Sequence, residues 1–290
     1  MRTVNHRGIG ALRLSLAVGA ASIALSGGEP TAVAQAPAVG APPPPAASGP
    51  KPDKTAFIDG KVKDCRGCDL EKEDLRGRDL TGADLTGANL RGANLYRANL
   101  QRAKLNGAIL ADAQMIRADL RNADFTDAYM VHAIISDATG NFANMTGTNL
   151  YGCNLTHSLF MAAKFDRAQM ADCDMTEGRY AGSSFKEADM SGVWLVGTNL
   201  VGIDFSGVKL EAAELANANL RNAKLVGTNL WGADLYGAEL TGADLSKANL
   251  RGSRLTSAVM SESITDGADF TDALLPGGRG PDAGPAPTGR

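Results

Sequence analysis

The chain has 290 residues, a formal net charge of −3, 5% aromatic residues, 34 glycines and four cysteines. That length has room for two globular domains, but so few aromatics and so many glycines do not furnish two ordinary hydrophobic cores. The slight acidic balance gives no general attraction for nucleic acid.

The chain opens like an address label. Arg2, His6, Arg7 and Arg13 precede an apolar run from Leu14 to Leu25, and Ala34-Gln35-Ala36 supplies the small residues that a signal peptidase needs. The run is too short to span a bilayer, so residues 1–36 read as a secretory signal cleaved after Ala36. The expected location is periplasmic or secreted, with no stable membrane insertion after cleavage. No cysteine follows the run, so lipid attachment is not indicated.

Residues 37–56 are rich in proline and alanine, including Pro42-Pro43-Pro44-Pro45, and have too little to bury. They read as an extended linker. Phe57, Ile58 and Val62 come next, just before a long repetitive array. They are the candidates for covering its first coil, because a coil end is a sheet edge with unpaired backbone groups.

From Leu70 to Leu275 an apolar residue falls on nearly every residue number divisible by five, with Gly140 and Thr265 as the exceptions among about 42 positions. Two positions earlier the residue is small, as in Ala83, Ala88 and Ala93; between them sits Asp or Asn in many units, as in Asp84, Asn89 and Asn94. Repetition on this scale has to be read before anything else. A period of five gathers on no single face of a helix and alternates faces in a strand, so the chain must turn once per unit. The small and central residues then point inward from a short extended piece, and the Asp or Asn points outward. The remaining pair, often Thr-Gly or Arg-Gly, makes the corner. Phe165, Phe185 and Phe205 are twenty residues apart, with Phe125 and Met145 on the same series; Cys153 and Cys173 are also twenty apart. That spacing predicts four units per coil.

Segments such as Ala83-Asp84-Leu85-Thr86-Gly87 and Gly242-Ala243-Asp244-Leu245 resemble the pentapeptide repeat family over about 206 residues. The resemblance implies an all-β fold, a right-handed quadrilateral β-helix; four units per coil make about ten coils over residues 57–275, and composition makes the N- and C-terminal segments disordered. The resemblance also implies structural roles for Leu85 with Ala83 and Leu90 with Ala88, which extend along the array to the column Phe165, Phe185 and Phe205. The tail 276–290 is disordered by its glycine and proline content.

Cys65 and Cys68 fall on central and small positions, so they are first-coil core, a candidate disulfide, or much less favourably a redox or metal site that no second Cys-x-x-Cys completes. Cys153 and Cys173 face each other from adjacent coils, where buried free thiols are expected. His157 lies between Asp137 and Glu177 at spacings of twenty, on a ladder with Arg97 and Arg117. This reads as a solvated charge ladder in preference to a surface metal site. His132, with Asp112 one coil below, is a weaker candidate still. No metal, cofactor or catalytic residue is assigned, since no nucleophile or phosphate-loop signature is present and no long loop makes a pocket.

Function is therefore sought on the outer walls. Tyr129, Ile134, Tyr151, Leu159 and Trp194 sit in outward or corner positions and form a candidate partner surface. Gly140 leaves an empty slot between Leu120 and Phe160 that could put Phe142 out of phase, leave a void or let Phe160 lean in, and a local bulge or kink is expected there; Tyr180 needs a partner for its hydroxyl if buried. The weak end at Leu274 and Leu275 makes end-to-end homodimers a candidate arrangement. The reading is a non-catalytic, exported scaffold or protein-binding rod with an unidentified protein partner and no nucleic acid. The alternative, which the resemblance implies, is a DNA mimic that binds DNA gyrase or topoisomerase and protects it from quinolones. The leader, the many arginines and the lack of a C-terminal amphipathic helix speak against it.

Overall fold

The computed structural model describes residues 52–277. The expected signal 1–36, the linker up to residue 51 and the tail from residue 278 lie outside the described residues.

Parallel bridges join residues twenty apart along the whole array, from Asp64 with Asp84 to Arg254 with Leu274. Each five-residue unit makes one short extended piece and one corner, so four units pass before the chain stacks on itself. Four walls result. Wall I carries the central residues Leu85, Phe125, Phe165 and Phe185; wall II carries Leu70, Leu90 and Leu110; wall III carries Leu75, Leu95 and Met115; wall IV carries Leu80, Leu100 and Leu120.

Two local devices make the corner. The N–H of the small residue donates to the carbonyl of the preceding central residue, as from Ala88 to Leu85 and from Ala93 to Leu90, both at 3.0 Å. Between them the second corner residue takes a left-handed backbone, with φ of 63° at Gly87 and 62° at Gly92, which glycine adopts without steric cost. Outside, the Asp or Asn oxygen accepts the N–H two residues on, as from Thr86 to Asp84 at 3.2 Å and from Tyr96 to Asn94 at 3.1 Å. The outward carboxylates and amides therefore fix turns as well as face water.

The central residues from Leu70 to Leu255 are sealed inside, Gly140 supplying no side chain, and the small residues pack beside them. Leu85, Leu90, Phe165, Phe185 and Phe205 are all fully buried. At the last coil the seal weakens: Met260, Phe270 and Leu275 are only partly buried, and Leu274 is 56% exposed.

The first coil is covered by a short helix, α1, Lys54–Ile58, which starts inside the segment 37–56 expected as linker. Asp53 caps it by accepting the Ala56 N–H at 2.9 Å. The helix turns Phe57 onto the core, where it is 2% exposed, and Ile58 packs partly against the same surface. Val62 does not join them; it lies past the helix end and stays 39% exposed.

The kink expected at Gly140 does not form. Its N–H still donates to Leu159 at 2.7 Å, and the five-residue phase runs through unbroken. The space is filled instead by the Phe160 ring, which occupies the position that a Cβ at residue 140 would take. One coil on, Gly178 leaves room in the same way for the ring of Tyr180. The buried Tyr180 hydroxyl lies 3.1 Å from Ser158 Oγ and donates to the Leu155 carbonyl at 3.3 Å. Ser183 enters the corner after Phe160, donating to the Phe160 carbonyl at 2.5 Å and accepting from Ala163 N–H at 3.1 Å.

The irregularity lies further along, on wall I. Gly182, Phe185 and Glu187 make no backbone hydrogen bond to the next coil, although their equivalents one coil earlier, Ala162, Phe165 and Arg167, do. The coil above carries Ile203 and Val208 in slots that alanine fills in most units, and both are buried. The missing bonds thus coincide with larger side chains packed beside the stacked phenylalanines.

Cys65 and Cys68 are joined by a disulfide. Cys153 and Cys173 are joined as well, with Cα atoms 4.6 Å apart, in contrast to the free thiols expected from the sequence. The coil repeat itself brings stacked residues within the Cα range that a disulfide needs, so parallel stacking does not prevent the bridge.

Candidate functional site

Charge on the walls is organised by the twenty-residue repeat. At the corner between walls III and IV, Arg117 pairs with Asp137 at 3.4 Å and His157 Nδ1 lies 3.2 Å from Glu177. The residues proposed as a charge ladder thus form two consecutive pairs. Among the described residues, no group of histidine, cysteine, aspartate or glutamate is arranged to hold a metal. His132 packs edge-on against Tyr151 with centroids 5.9 Å apart, whereas Asp112 pairs with Arg91 at 3.8 Å. A shallow depression lined by Asp74, Arg76, Gly77, Arg78, Tyr96 and Arg97 is polar and open.

Several turn-fixing aspartates are held below the usual carboxylate range by their own corner residues. The Arg76 guanidinium and N–H bring Asp74 down to about 2. The hydroxyl and N–H of Thr81 lower Asp79; Ser246 does the same to Asp244, and Thr271 to Asp269. A depressed folded value means that the stabilisation is complete above the unfolded value near ~4 and is lost as pH falls through the folded values. The melting temperature should therefore be level from about pH 7 to 5 and fall steeply between about pH 4 and 2. Circular dichroism melts across that range test this; a melting temperature that holds down to pH 2 would contradict it.

The five expected surface residues do not make one wall. Ile134 and Trp194 share the outward ladder of wall III, three coils apart, and are 36% and 48% exposed. Tyr129 is on wall II, and Tyr151 stands at the corner between walls II and III, so these four ring one edge of the rod. The Asp172 carboxylate beside Tyr151 raises the pKa of its hydroxyl. Leu159 is on wall IV, away from the rest, because its number places it on a different side of the coil.

Sequence reasoning missed Trp231, which is 54% exposed on the same corner ladder as Tyr151, four coils along. The spacing of eighty residues was the available signal. It also missed Met161 and Val201, and left Phe142 as a disturbance of phase; Phe142 instead keeps the phase and points outward, 63% exposed.

A family model described as pentapeptide repeats matches this chain in eight copies, over residues 64–96, 98–137, 141–177, 183–215 and 213–252. Among solved structures, the chain is similar to HetL, a pentapeptide repeat protein involved in heterocyst differentiation regulation from the cyanobacterium Nostoc sp. strain PCC 7120. The two are 28% identical, with 73% of this chain and 90% of HetL covered and a TM-score of 0.37. It is also similar to trypsin-treated QnrB1, a plasmid-mediated fluoroquinolone resistance protein, at 20% identity, 70% and 89% coverage and a TM-score of 0.37. A pentapeptide repeat protein of the Arabidopsis thaliana thylakoid lumen is 26% identical, with 47% and 71% coverage and a TM-score of 0.24. No curated protein matches the sequence significantly.

Proposed function

This chain belongs to the pentapeptide repeat family, whose members form right-handed quadrilateral β-helices, and from that premise we propose that it is an exported, non-catalytic rod of about ten coils that binds a protein partner. Pentapeptide repeat proteins are generally structural or binding proteins. The observation that carries the reading is the aromatic and aliphatic edge between walls II and III, where Tyr129, Ile134 and Trp194 replace the turn-fixing Asp or Asn that many coils carry and Tyr151 stands at the corner beside them. Trp231 extends that edge. Large, partly desolvated aromatics supply most of the energy in protein contacts.

The test has two arms. Cell fractionation with N-terminal sequencing of the mature protein is expected to find it outside the cytoplasm, starting after Ala36. Mature protein confined to the cytoplasm would remove export and favour the gyrase-binding reading. Capture of partners on the purified mature rod is then compared with a variant carrying Ile134→Ser, Tyr151→Ser and Trp194→Ser. Loss of a partner from the variant supports the edge; retention of every partner removes it.

The same reading extends to end-to-end association through the last coil, where Met260, Phe270 and Leu274 are incompletely covered. Light scattering is expected to give a mass that rises with concentration. A constant monomer mass would remove this part.

A further inference from the structure

The corner between walls IV and I differs from the other three. From Asn141 to Gly202, over four coils, every residue at that corner is uncharged, whereas the other corners carry Asp166 and Lys186, Asp172, or Glu177 across the same span. Phe142, Met161 and Val201 stand out along it, 63%, 41% and 38% exposed. Phe142 donates its N–H to the Met161 carbonyl at 3.0 Å, so the two side chains sit on touching coils.

Phe142 takes the left-handed corner backbone, with φ of 61°, that Asn122 and Ala162 also take on the same ladder, so the corner itself carries the ring outward.

The surroundings say what it meets. Lys164 on wall I and Arg179 on wall IV flank the strip, both exposed and in no ion pair among the described residues. Arg102 stands at the same corner two coils below Phe142, and Asp204 is the acid on the flanking ladders at these coils. The corner is convex, a ridge roughly 14 Å long over three coil steps. A ridge fits a plane, and cations beside outward apolar side chains match phosphates above an acyl boundary.

We infer that this corner rests on an anionic phospholipid surface, with Phe142, Met161 and Val201 at the acyl boundary and Lys164 and Arg179 at the phosphates. The site is separate from the edge between walls II and III. No described helix is long and apolar enough to cross a membrane, so the contact is interfacial.

Hydroxyl-radical footprinting of the full chain reads individual side chains, which keeps any contribution of the leader apart from the ridge. With phosphatidylglycerol vesicles, modification of Phe142, Met161 and Leu159 is expected to fall several-fold, while Trp231 and Tyr236 on other corners stay unchanged. Phosphatidylcholine vesicles should protect weakly, and salt should weaken protection. The variant Phe142→Asn with Met161→Thr takes residues already present on these ladders, in Asn122 and Thr81, so it keeps the fold; it should lose protection at Leu159. No protection by anionic vesicles, equal protection by neutral ones, or protection that survives the double variant overturns the inference. Protection without vesicles that grows with protein concentration assigns the ridge to a second copy and overturns it as well.

Discussion

Phe185→Ala is expected to lower the stability of the rod by about 3–5 kcal/mol, because it empties the middle of a buried aromatic column. Phe185 stacks on Phe165 with centroids 4.9 Å apart and planes 3° from parallel, and meets Phe205 at 5.4 Å and Tyr180 at 6.2 Å. All four rings are fully buried. Truncation removes one large side chain and its aromatic contacts together. It does so where the backbone gives least support, since the Phe185 N–H makes no backbone hydrogen bond to the next coil. In a solenoid each coil leans mainly on its neighbours, so the loss should stay local and loosen residues 181–210 first. Denaturant unfolding gives the magnitude and hydrogen exchange gives the place. Phe185→Leu, which restores the residue used on most of this array, should cost under about 1.5 kcal/mol. A loss under about 1 kcal/mol for the alanine variant would mean that the aromatic column is not packed as described.

The second large effect comes from making the sequence more regular. Gly140→Leu restores the residue that the repeat leads one to expect, yet it should destabilise by about 2–3 kcal/mol, because Phe160 already fills the space. The backbone is not the obstacle: Gly140 does not have the left-handed φ of the corner glycines. Phe160→Leu alone should cost about 1–2 kcal/mol by leaving a hole above Gly140. Together the two substitutions rebuild a standard pair of leucines and should return most of the stability, with a coupling of at least about 1.5 kcal/mol by double-mutant cycle. Additive losses would show that Phe160 and residue 140 do not share one volume.

The contrast between these two variants marks the boundary between what periodicity encodes and what packing decides. The five-residue phase, the inward leucine and alanine, the corner pair and the stacking of residues twenty apart were all legible in the sequence, because each depends on neighbours at fixed spacing and on turn chemistry that a single unit specifies. The buried column of Phe165, Phe185 and Phe205 and the outward Asp and Asn come from the same count. Ile134 and Trp194 could be placed on a shared ladder by arithmetic, and so could Trp231 beside Tyr151.

Volume is not periodic, and it was settled only in three dimensions. At Gly140 the sequence left a kink, a void or an inward lean of Phe160 open and favoured the kink; the tertiary structure fills the slot with the Phe160 ring, since a side chain moves at less cost than a hydrogen-bonded ladder. The disturbance appears instead between the coils of Phe185 and Phe205, where Ile203 and Val208 add bulk that no single unit reveals. Cys153 and Cys173 bond because stacking holds their backbones close, and Phe142 faces outward because its place in the corner leaves it no inward path. The repeat fixed where every side chain starts; crowding between coils decided where the large ones end.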